Sequence, residues 1–168
     1  MTAKIIGAVI IEAACGFSGF YASERLKKRH KYLGNIISAL SLLETEINFG
    51  ANKLKKAFAA IDEMTDTCGL FSAAAGTLER DGIRRAWSDA VNEKRRDMCL
   101  TDGDAEILEL FGGRLGMTDT ENQLKNIGHT KELLKVLEEK AAEDYSRSGK
   151  LYRSGGVLVG LFLILMLI

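Results

Sequence analysis

The sequence predicts an all-α protein: a helical bundle anchored in a membrane by a helix at each end. Three observations predict it. Proline, which interrupts helices, is absent from all 168 residues. Apolar residues recur at helical spacing through most of the chain. An uncharged or nearly uncharged apolar run lies close to each terminus. No segment alternates convincingly enough to make a strand, and no low-complexity linker divides the chain.

The first element is the run from Ile5 to Ser23, apolar except for Glu12. At about 1.5 Å per residue it nearly spans a hydrocarbon layer of roughly 30 Å. Gly7, Ala13, Ala14, Gly16, Ser18 and Gly19 make it rich in small residues, which allow close helix contact in a bilayer. Glu12 is its one costly polar group. Either it faces a partner helix, or the span is shifted and Glu12 lies near the outer interface. The last element, Leu151 to Ile168, is apolar except for Arg153, which can snorkel to the interface beside Tyr152. The expected layout is therefore a span over 1–23, a helical bundle over 24–150 and a second span over 151–168. Arg25, Lys27, Lys28, Arg29 and Lys31 follow the first span, and Arg147, Lys150 and Arg153 flank the second. The positive-inside bias puts the middle in the cytoplasm and both ends outside.

Between the spans, Leu33, Ile36, Leu40, Leu43 and Ile47 make one stripe, continuous with the first span and stopped at Gly50. Asn52 can cap the next helix, whose inner face is Leu54, Ala57, Phe58 and Ile61. Leu70, Phe71, Ala74 and Leu78 mark a third. Gly82 separates it from a fourth carrying Ile83, Trp87, Ala90 and Val91. Thr101 with Asp104 reads as a cap for the helix of Ile107, Leu108, Phe111 and Leu115. Gly116 ends that helix, because glycine readily takes the left-handed conformation. Thr118-x-x-Glu121 reads as a capping box for the last helix, on which Leu124, Ile127, Leu134, Leu137, Ala141 and Tyr145 track one face, with Leu133 and Val136 beside it. Gly112 and Gly113 sit inside a helix at a cost of about 1 kcal/mol each against alanine. Both are expected to lie against a neighbouring helix.

Charge and motifs exclude several functions. Lysine plus arginine equals aspartate plus glutamate at 23 each, so the basic excess of a nucleic-acid binder is missing. Cys15, Cys68 and Cys99 are odd in number and form no C-x-x-C pair, which suggests neither a disulfide framework nor a zinc site. Glu44 and Glu46, two apart, point to different helix faces and make no acid–base pair; solvated or capping roles are expected. His30 and His129 are far apart and read as surface residues. No phosphate loop or nucleophile motif is present. No enzymatic activity, cofactor, metal or small-molecule substrate is expected.

A competing reading starts from Lys4, the apolar run and Ala13-Ala14-Cys15-Gly16, an order seen in bacterial lipoprotein signals cut before the cysteine. Glu12, the apolar residues continuing to Tyr21 and the dense positive charge from Arg25 all oppose it. An exported helical lipoprotein is thus the runner-up, with a small helical membrane regulator behind it.

The order of several short motifs resembles the stage III sporulation protein AB family. Leu43-Glu44-Thr45-Glu46-Ile47, then Phe49-Gly50 and Leu54, is similar to its LExEIxYGxxxL block, with phenylalanine for the usual tyrosine. Trp87 after Ala86 matches an AW pair. Phe111-Gly112, Leu115-Gly116, Asp119 and Gln123 complete an FGxxLGxxDxxxQ block. The family's cytoplasmic domain is in turn similar to that of the membrane platform protein of type II secretion and type IV pilus systems. The resemblance implies a mother-cell membrane protein of the channel linking mother cell and forespore. Its partners would be a cytoplasmic hexameric ATPase and other membrane proteins of that channel. Two loops are the candidate partner surfaces. One carries Lys53, Lys55 and Lys56; the other carries Asp119 and Glu121.

Overall fold

Helix α1 (Thr2–Asn48) joins the first apolar run to the first amphipathic stripe without a break. The continuity expected from the sequence is therefore present. The structure, a computed structural model, describes residues 2–48, 54–116 and 119–167. Phe49, Gly50, Asn52, Lys53 and Thr118 lie outside these residues, and so do the stop at Gly50, the Asn52 cap and the Thr118 half of a capping box. After α1 come α2 (Leu54–Met64), α3 (Leu70–Lys94), α4 (Asp102–Arg114) and α5 (Thr120–Leu167). No strand occurs among the described residues. The chain forms two compact units. One consists of Met1–His30 with Lys140–Ile168, the other of Lys31–Glu139. Helices α1 and α5 each contribute to both.

In the first unit the two apolar helix segments pack through small residues. A side chain at Gly19 would run into the backbone carbonyl of Tyr152, and one at Gly156 would come within 2.6 Å of the Cys15 carbonyl oxygen. Glycine at both positions lets the backbones approach, as bilayer helix pairs require. The outward residues stay bare: Ile10, Phe17, Leu158 and Leu165 are each more than 60% exposed. Both helices are long and apolar enough to cross a membrane. Glu12 points inward at Gly160, and its Oε2 is buried without a hydrogen-bond partner. Arg153 reaches across to α1: Nε donates to Ser23 Oγ at 3.0 Å and Nη2 meets Glu24 at 3.2 Å. Arg29 pairs with Asp144 at 3.8 Å.

The second unit is built on aromatic rings. Phe58, Phe71, Trp87 and Phe111 are all essentially buried. Neighbouring rings lie 5.1 to 5.7 Å apart, mostly edge to face, the arrangement their quadrupoles favour. Leu33, Ile36, Leu40 and Leu43 from α1 and Ile127 and Leu134 from α5 complete the core. Each belongs to a stripe set by helical spacing. Leu133 and Val136, beside the α5 stripe, are exposed.

The breaks between helices follow local chemistry. Thr101 accepts from the Asp104 N–H while the Asp104 carboxylate accepts from the Thr101 N–H, a complete capping box at α4. Gly82 has φ 74° and ψ 161°, a conformation reserved for glycine, and it divides α3 where the sequence placed a boundary. The α2–α3 loop is tied to α1. Asn35 Nδ2 donates to the Asp66 carbonyl at 2.7 Å, and Lys31 Nζ meets the Asp66 carboxylate at 2.7 Å. That hydrogen bond from Lys31 is the main reason the Asp66 carboxyl sits below its ordinary range.

Candidate functional site

Trp87 and the residues of the FGxxLG block gather where α3 meets α4. Trp87 is the centre. Its indole N–H donates to the Leu108 carbonyl at 2.7 Å, deep in the core. Gly112 lies one helical turn after Leu108. A Cβ there would collide with the indole ring. The missing side chain is what lets the pyrrole edge of the ring approach α4 and its N–H reach a helix carbonyl. Burying the indole N–H unpaired would cost about 1–3 kcal/mol, so the interlock is strongly favoured. Gly113 corrects the expectation of close packing at both glycines. It has open space around it, because it faces outward from α4.

Beyond α4, Leu115 is extended and buried and Gly116 has φ 72°. Together they turn the chain toward α5. Asp119 precedes α5: its carbonyl accepts from the Gln123 N–H at 3.0 Å and its carboxylate from Asn122 Nδ2 at 2.6 Å. Glu121 pairs with Lys125 at 2.8 Å along the helix. Both acids are exposed and sit at the N-terminal end of α5, where negative charge is favourable.

Other signature residues lie elsewhere. Glu44 does not stand free in solvent, as the sequence suggested. It forms a partly buried ion pair with Lys131 of α5 at 2.7 Å. Sequence spacing could not reveal a partner 87 residues away. Glu46 is half-buried on the same helix, and Leu54 opens α2. Of the expected lysine loop, Lys55 pairs with Glu79 at 3.1 Å and Lys56 is exposed, while Lys53 is outside the described residues. His129 is exposed, but His30 is half-buried, against expectation, because α1 is covered there. The cysteines are free. Among the described residues no three His, Cys, Asp or Glu side chains converge as metal ligands would.

Sequence reasoning missed one feature. An open cleft of about 530 Å³ is lined by Arg84, Gly113, Arg114, Asn122, Lys125, Asn126 and His129. Arg84 Nη2 donates to the Gly113 carbonyl at 3.2 Å. Asn126 Nδ2 donates to the Phe111 carbonyl at 3.3 Å and ties α5 to α4. Three helices supply the lining, so no single periodic pattern could announce it.

The family model described as stage III sporulation protein AB matches residues 4–168. The chain belongs to the stage III sporulation protein AB family. The stage III sporulation protein AB of Bacillus subtilis (strain 168) is 30% identical over a 168-residue alignment that covers 98% of each chain. A solved structure titled stage III sporulation protein AB superposes with a TM-score of 0.66 at 27% identity, covering 70% of this chain and 96% of that one. For this member of the stage III sporulation protein AB family, the geometry explains much of the FGxxLG block. Phe111 is core, Gly112 receives Trp87, Leu115 is buried, and Gly116 makes the turn.

Proposed function

We propose that the chain is a structural membrane platform in the sporulation channel between mother cell and forespore, and that its bundle docks the cytoplasmic ATPase of that complex. The observation that carries this is family membership over nearly the whole chain, joined to a fold in which two exposed apolar helix segments continue into one helical bundle. Residues 1–23 and 151–168 are then the spans and 24–150 the cytoplasmic part. The basic residues from Arg25 to Lys31 and around Arg153 hold that orientation. Cys15 lies in mid-helix with its carbonyl against Gly156, which suits a span better than a cleavage site.

Topology is tested by inserting a reporter that fluoresces only in the cytoplasm. The exposed turn at Asp97, between α3 and α4, takes the insertion. Fluorescence is expected. Alkaline phosphatase activity from the same site, or a lipid found on Cys15 by mass spectrometry, would instead overturn the two-span layout and favour the exported lipoprotein. Docking is tested by pull-down of the tagged chain from sporulating-cell membranes, with the ATPase expected among the captured proteins.

A further inference from the structure

Arg84, Arg114, Lys125 and His129 come from three helices and line one cleft, together with two asparagine amides. Among the described residues that line it, every side chain is polar or charged. What it offers is N–H donors, two of them guanidinium groups suited to planar oxyanions. Lys125 is partly neutralised by Glu121, and Asp119 stands at the start of the same helix. Arg84, on α3, and Arg114, in the C-terminal turn of α4, are exposed, and Arg84 donates one N–H to the Gly113 carbonyl. Gly113 keeps the floor free of any side chain.

We infer that this cleft receives an acidic segment of a partner protein, with carboxylate side chains meeting Arg84 and Arg114. The inference rests on the proposed docking role of the bundle and names a surface for it. A free phosphate fits less well. Phosphate sites at helix ends use the backbone N–H groups of an N-terminus. Here α4 presents its C-terminal carbonyls, and one of these, from Gly113, already accepts from Arg84. The N-terminal end of α5 already carries its own acids, Asp119 and Glu121. Recognition is therefore left to the exposed side chains of Arg84, Arg114 and Lys125. The cleft is also distinct from the lysine loop, where Lys55 is engaged by Glu79.

The test uses the full chain in lipid nanodiscs, with Arg84→Glu/Arg114→Glu and the milder Arg84→Gln/Arg114→Gln. Both residues are exposed, so the helix content should be unchanged by circular dichroism. Binding of the purified ATPase and of a short polyglutamate peptide is measured at low and high salt, and binding of inorganic phosphate by calorimetry. Reversal of both arginines is expected to weaken ATPase binding by about tenfold or more at low salt, with a smaller loss at high salt. The glutamine pair should give an intermediate loss, and polyglutamate should compete. If the ATPase binds both variants as it binds the wild type, the cleft is not the docking surface, although the platform role stands. If the ATPase does not bind but polyglutamate binds the wild type and not the variants, the platform role fails and the cleft remains an acid-binding site. Tight phosphate binding without polyglutamate binding overturns the acidic-partner assignment, and so does the absence of binding by every probe.

Discussion

At Gly112 a methyl group would enter the space that the Trp87 ring fills, while at Gly113 it would meet nothing within 4 Å. The two substitutions should therefore act in opposite directions. Gly112→Ala is expected to lower stability by about 1–3 kcal/mol through overpacking and displacement of the indole hydrogen bond. Gly113→Ala should raise it by up to about 1 kcal/mol, the helix-propensity gain on an open face. Thermal unfolding of the detergent-solubilised chain separates them; a stabilised Gly112→Ala would sink the interlock. The adjacency of the glycines was plain in the sequence, but their difference was not. Gly112 borders the buried stripe and Gly113 lies opposite it, but only the position of Trp87, on another helix, shows what fills the space at Gly112. Glu44 shows the same limit, since its partner Lys131 is remote in the chain.

Helices announced themselves through periodicity, and their ends through glycine and hydroxyl residues. Gly82 and Thr101 are clear cases: a residue type with one strong local preference fixes a boundary whatever surrounds it. The α2–α3 loop was less legible, because it is held by α1 rather than by its own turn chemistry. Asp66 illustrates this. Its carboxyl is depressed in the folded chain, so the stability it confers is present above the unfolded value of about 3.9 and is lost as pH falls through the lower folded value. The wild type should accordingly melt higher than Asp66→Asn at neutral pH, and the gap should close in acid. The effect will be small, since both Lys31 and Asp66 are more than half exposed. Melting curves for the two chains from neutral pH down to about 2 check this, and a gap that persists in acid would remove the ion pair from the explanation.

Across the whole molecule, the apolar ends and the stripes were visible in one dimension, whereas the cleft at α3, α4 and α5 exists only once three helices are folded together. The Trp87 interlock has a further consequence at this scale. The chain contains one tryptophan, and it is fully buried against Phe58, Phe71 and Phe111. All red-edge-excited emission of the protein therefore comes from one point in the bundle, next to the helix that carries Gly113 and Arg114. The native chain should emit in the blue and resist quenching by iodide, and that signal belongs to the bundle even when lipid surrounds the apolar ends. It makes docking observable without a label. A partner that settles on the cleft while leaving α4 in place would keep the emission blue, whereas one that pries α4 from α3 would shift it to the red and open the indole to iodide.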